Sequence, residues 1–317
     1  MRRYIALLAV LILSLGLTGC GAPPVSGGGE GMEIIATVFP AYDFARQIAG
    51  ERATVTLLVP PGSESHSFEP TAQDIIRIEG CALLFCNGGE SEAWLEEILE
   101  GREHEIPVLS MLQCVEALEE ETIEGMQKVY EEPEDDGPSY DEHVWTSPVN
   151  AKLICQKLCQ ALCEADPEGE EVYRANLTAY SAALDALDAD FRQAVRDGAR
   201  DTLIFADRFP VRYFTEEYGL KYYAAFPGCA DDAEPSAKTV AFLIDKVREE
   251  QIPAVFTIEF SNEKMADVIV EDTGCRKLLF HSCHNVSADE LKSGVSYLAL
   301  MRGNLSSLKE ALSGWQS

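Results

Sequence analysis

Basic residues are scarce in this 317-residue chain: 25 Lys and Arg stand against 54 Asp and Glu, a formal charge of −29. Phosphate neutralisation needs clustered cations, so nucleic-acid binding is excluded as a function class. Histidine is scarcer still, with five copies, so any chemistry that needs imidazole falls to a few nameable positions. No His-Glu-x-x-His pair and no Gly-x-Ser-x-Gly elbow occurs, which removes the usual sequence support for a zinc protease or a serine hydrolase. The apolar run Ile5 to Leu17 is too short to span a bilayer comfortably.

That run follows Met1-Arg2-Arg3 and precedes Leu17-Thr18-Gly19-Cys20. A charged start, an apolar stretch and small residues make a secretory signal. The last four residues resemble the bacterial lipobox, which implies cleavage before Cys20 and a diacylglycerol on its sulfur. Residues 1–20 are thus expected to be signal and lipobox, and the Gly-, Pro- and Ser-rich residues 21–31 a flexible tether. The remaining length suits an N-terminal α/β lobe over 32–166, a linking helix over 167–197 and a C-terminal α/β lobe over 198–317. Cys20 leaves nine cysteines, an odd number that cannot all pair within an exported chain. Cys81 and Cys86 flank an apolar strand, and Cys155, Cys159 and Cys163 recur on one helical face, so core packing is expected of them.

Strand and helix patterns alternate. Strands are read over 34–39, 53–59, 82–85, 106–109, 202–205, 222–226, 254–258 and 277–280, with helical periodicity between most of them. Such alternation predicts parallel sheets covered by helices. From Glu170 to about Val195 the apolar residues step by three and four with no Gly or Pro, so about 26 residues should form a rod of about 39 Å. Residues 116–142 hold blocks of acids that repel one another and read as a surface loop.

Two imidazoles sit on stiff turns. His66 lies in Pro60-Pro61-Gly62-Ser63-Glu64-Ser65-His66-Ser67-Phe68-Glu69-Pro70, between a strand and the helix start Thr71-x-x-Asp74. His143 lies just before Ser147-Pro148, a strong helix start, on a segment stiffened by Trp145. Both occupy loop positions where open α/β folds place ligands. His104 reads as an exposed turn residue.

These segments resemble the ligand motifs of zinc/manganese-type ABC-transporter solute-binding lipoproteins. Pro61-Gly62 through Thr71 is similar to the first motif, and His143-Val144-Trp145 with Pro148 and Asn150 to the second. Phe214 through Leu220, Glu271 through Gly274 and Tyr297 through Asn304 are similar to later family segments. The resemblance implies two parallel-sheet α/β lobes joined by one long rigid helix, with a divalent metal between them. It also implies a monomer, anchored outside the cell membrane by lipid on Cys20, that serves an ABC permease and its ATPase.

The third family motif departs: Phe205-Ala206-Asp207 puts Ala206 where a ligand is expected, and the C-terminal Asp is replaced by Phe280-His281-Ser282-Cys283-His284. One or both of His281 and His284 are expected to compensate, joining His66 and His143 as metal ligands. Asp207 and Glu259 are weaker candidates, either as ligands or as acceptors that orient a ring nitrogen. Several imidazoles favour Zn²⁺, whereas a His₂-carboxylate set would admit Mn²⁺. Binding should weaken as pH falls through about 6.5, where free imidazole protonates. The expected role is that of a binding protein and not an enzyme; the alternatives are a lipid-anchored metallohydrolase and a surface adhesin.

Overall fold

Two four-stranded parallel sheets organise the computed structural model, which describes residues 32–63, 68–100, 105–127, 139–230 and 235–314. The signal, the tether, Cys20, His66, His104 and part of the acidic loop lie outside the described residues. The first sheet has the order β2-β1-β3-β4, with β1 Met32–Ala36, β2 Ala53–Leu57, β3 Leu83–Cys86 and β4 Val108–Ser110. The second has the order β6-β5-β7-β8, with β5 Thr202–Phe209, β6 Lys221–Pro227, β7 Ala254–Thr257 and β8 Arg276–Leu279. All pairings are parallel. Each strand therefore returns through a crossover, and its carboxyl end opens into a loop on the same edge of its sheet.

Helices α1 (Phe39–Ala49), α2 (Ala72–Gly80), α3 (Trp94–Leu99) and α4 (Pro148–Ala165) belong to the first half. Local chemistry sets their ends. Thr71 and Asp74 form a reciprocal capping box at α2, and the Ser147 hydroxyl accepts from the Asn150 N–H at the start of α4. Helix α5 then runs Glu170–Asp197, 28 residues without a break, about 42 Å long. The second half carries α6 (Arg212–Tyr218), α7 (Ala237–Glu249), α8 (Lys264–Thr273), α9 (Ala288–Ser293) and α10 (Tyr297–Ala311).

One apolar cluster joins the halves. It runs from Ile34, Phe44 and Phe85 through Tyr180, Leu184, Leu187 and Phe191 of α5 to Phe205, Phe214 and Phe280. The cysteines after Cys20 are all free thiols. Cys81, Cys86, Cys155 and Cys159 are buried and Cys163 is half-buried. Burial pushes the Cys159 thiol up to about 11, which keeps it protonated and apolar in character.

Two elements differ from the sequence expectation. Strand β5 continues past Phe205 to Phe209 through an irregularity between Phe205 and Arg208, so Ala206 lies within the sheet. Its methyl packs in a second apolar cluster with Ile204, Ala225 and Leu243. Helix α9 begins with a capping box between Ser287 and Glu290, a signal overlooked in so short a segment.

Candidate metal centre

The carboxyl edges of β5 and β7, the loop after β8 and the turn at His143 border a small open cleft. His143, Arg208, Glu259, Phe260, His284 and Asn285 line it, and Ser63, three residues before His66, reaches it from the first half.

His143 is 1 % exposed. Asp141 fixes it: one carboxylate oxygen accepts the His143 backbone N–H at 2.8 Å and faces Nδ1 at 3.1 Å. With the Nδ1 proton held there, Nε2 keeps its lone pair, the arrangement that suits a neutral metal-binding imidazole. Burial disfavours the charged ring, but Asp141, then Glu142 and Glu120, outweigh it and shift the His143 pKa upward. Tyr213 secures Asp141 by donating its hydroxyl to the Asp141 carbonyl at 2.8 Å. Glu142 anchors the other side through Ser91, whose N–H and hydroxyl both donate to its carboxylate.

The loop after β8 is wound by side chains that mimic turns. His281 Nδ1 accepts the Cys283 N–H at 2.9 Å, the Ser282 hydroxyl accepts the His284 N–H at 3.1 Å, and Cys283 adopts φ +64°. Asn304 of α10 grips the His281 backbone from both sides at 2.7 Å, accepting its N–H and donating to its carbonyl. Glu259 accepts the Ser282 N–H at 2.7 Å and the Ser282 hydroxyl at 2.5 Å. It stands 3.6 Å from His281 Nδ1.

Cross-links between the halves bring the rings together. Trp145 Nε1 donates to the Ser282 carbonyl at 2.8 Å, and the Phe39 N–H donates to the His284 carbonyl at 3.2 Å. As a result the His143 and His284 ring centroids are 5.3 Å apart and nearly perpendicular. Two imidazoles bound through nitrogens at 2.0–2.1 Å to one tetrahedral Zn²⁺ would have centroids about 5.2 Å apart. The spacing leaves room for one shared ion, and it is also that of edge-to-face ring packing, in which Trp145 takes part at 5.5 Å from His143 and 5.0 Å from His284. Asn285 ties in the loop that carries His66: its amide donates to the carbonyls of Pro60 and Ser63 at 2.9 and 2.8 Å, while the Gly62 N–H donates to the Val286 carbonyl.

The other sequence candidates lie differently. His281 is 5 % exposed and does not line the cleft; its Nε2 is buried with no hydrogen-bond partner among the described residues. Asp207 accepts from the N–H groups of Arg208 at 2.9 Å and Ile258 at 3.5 Å, which places it against the base of the β7 loop. Burial raises its pKa against those bonds. Among the described residues no third His, Cys, Asp or Glu completes a metal cluster. Sequence reasoning passed over Asp141, Ser282, Asn285 and Asn304. Asp141 was within reach, because an Asp two residues before a His is a ready acceptor for its backbone and ring.

A family model described as "Zinc-uptake complex component A periplasmic", ZnuA, matches residues 34–311. The high-affinity zinc uptake system protein ZnuA of Bacillus subtilis is 28 % identical, covering 98 % of this chain and 98 % of that protein. The zinc-binding lipoprotein AdcA of Streptococcus pneumoniae serotype 4 is 27 % identical over 97 % of this chain, which spans 61 % of that relative. Among solved structures, the metal-dependent lipoprotein YcdH of Bacillus subtilis superposes with a TM-score of 0.74 at 26 % identity, over 89 % of this chain and 99 % of that one. The laminin-binding adhesin of Streptococcus agalactiae superposes with the same TM-score, over 89 % of this chain and 100 % of that one. At 22 % identity that likeness speaks to the fold alone.

Proposed function

The chain belongs to the ZnuA family of periplasmic zinc-uptake components, and from that premise we propose that it captures Zn²⁺ outside the membrane and passes it to an ABC permease and its ATPase. It is a binding protein and not an enzyme. His66, His143 and His284 hold the ion in this reading. The observation that supports it is the 5.3 Å, nearly perpendicular approach of two buried imidazoles from opposite halves. His284 thus takes over from the ligand lost at Ala206, while His281, Glu259 and Asp207 brace the loops that present it. An imidazole-rich set favours zinc over manganese, which sits at the weak end of the divalent series. Lipidation at Cys20 would keep the protein beside its permease. Within the described residues no helix is long and apolar enough to cross a membrane. The adhesin alternative has only the shared fold behind it.

Calorimetric titration with zinc and manganese tests the ligand set. His66→Ala, His143→Ala and His284→Ala should each weaken zinc binding at least a hundredfold, and His281→Ala less than tenfold. Zinc binding unchanged in His284→Ala would overturn the assignment. Manganese should bind more weakly than zinc throughout.

A further inference from the structure

Residues 118–120 run antiparallel to 139–141, with Glu119 opposite Tyr140. The Asp141 N–H donates to the Leu118 carbonyl and the Glu120 N–H to the Ser139 carbonyl, both at 2.9 Å. In an undisturbed antiparallel ladder, Leu118 and Asp141 would exchange both of their bonds directly. Here the second bond runs through the Tyr213 hydroxyl, which accepts the Leu118 N–H at 3.0 Å and donates to the Asp141 carbonyl at 2.8 Å. Tyr213 belongs to the other half, in the first turn of α6, and is 3 % exposed. Its neighbour Arg212 steadies the same segment: Nε donates to the Glu119 carbonyl at 2.9 Å and the guanidinium pairs with Glu121. The inserted hydroxyl thus acts two residues before His143, whose backbone and ring both face the Asp141 carboxylate.

A ladder closes without help from a side chain, so a buried phenol placed inside one has another effect. It holds the Leu118 N–H and the Asp141 carbonyl two hydrogen bonds apart in place of one, and so fixes where Asp141 stands relative to His143. We propose that Tyr213 is a positioning residue for metal capture: from the second half it sets the place of Asp141, and through it the direction in which His143 of the first half presents Nε2. This rests on the zinc-binding reading. Tyr213 itself needs no contact with the ion. Without the hydroxyl, Leu118 and Asp141 either bond directly or lose a partner, and in both cases the carboxylate shifts against the ring.

Tyr213→Phe keeps the ring in the core and removes only the hydroxyl. In calorimetric titration it should weaken zinc binding about tenfold, and Asp141→Ala should weaken it roughly 10–100-fold. The double variant should match Asp141→Ala within about twofold, because the hydroxyl acts through that carboxylate. A hydroxyl that merely supported the fold would lower affinity by the same factor in both backgrounds. Ring-nitrogen NMR of the metal-free protein at one fixed pH gives a reading independent of zinc. His143 should be the Nδ1–H tautomer in the natural protein and a mixture with the Nε2–H form in Tyr213→Phe. Unchanged zinc affinity in Tyr213→Phe, equal losses with and without Asp141, or an unchanged tautomer would overturn the proposal and leave the zinc reading standing. Absence of zinc binding by the natural protein would bring down both.

Discussion

At the scale of single residues, the polar groups packed behind the cleft carry as much of the argument as the ligands. Glu92 is an example. It is 7 % exposed, accepts the Gly88 N–H at 2.7 Å, and burial lifts its pKa to about 7 despite bonds from Thr37 and the backbone. A carboxyl whose folded pKa lies above its unfolded value contributes most below the unfolded pKa, near 4.5, and loses that contribution as pH rises toward 7. Glu92→Gln keeps an oxygen for Gly88 and cannot ionise. It should match the natural protein near pH 4.5 and become more stable relative to it by about 3.4 kcal/mol above pH 7. Thermal melts of both proteins from pH 4.5 to 8 check this; parallel curves would refute it. The candidate site was partly legible at this scale. His143 stood out because Trp145 and Pro148 stiffen its turn. The choice between His281 and His284 was not legible, since both follow the same strand. Only the folded loop shows His281 Nδ1 spent on Cys283 and the His284 ring turned toward His143.

At the scale of elements, loops from the two halves are fastened to one another by hydrogen bonds of their own. Asn285 bridges Pro60 and Ser63, and Trp145 reaches Ser282. Asn285→Ala removes two bonds worth about 1 kcal/mol each and no proposed ligand. Zinc affinity should fall roughly five- to thirtyfold while the metal-free melting point moves by only a few degrees. An unchanged zinc affinity would show that the His66 loop needs no such brace. The helix starts at Thr71 and Ser147 were readable from sequence, because capping is local chemistry between residues three apart. The extension of β5 was not. Ala206 to Phe209 has a polar centre, and pairing with β6 carries the strand through it.

At the scale of the whole molecule, α5 and the shared apolar cluster leave little freedom for the halves to hinge. Zinc should therefore raise stability without closing the protein. At a hundred times Kd the gain is about 2.7 kcal/mol. The radius of gyration from solution scattering should stay within about 1 Å of the metal-free value, near 19 Å for a compact chain of this size. A contraction of several ångströms would contradict a rigid connector. Sequence by itself determined the parallel α/β class, the unbroken helix and the imidazole-bearing turn at His143. Periodicity, proline and capping act over a few residues and need no partner. Tertiary structure alone decided which later histidine meets His143, where Ala206 points, and that Glu259 and Asn285 serve as braces. Those outcomes depend on bonds between separate segments, 225 residues apart for Asn285 and Pro60 and 23 apart for Glu259 and Ser282, or on the path of one loop, and neither leaves a periodic trace in the chain.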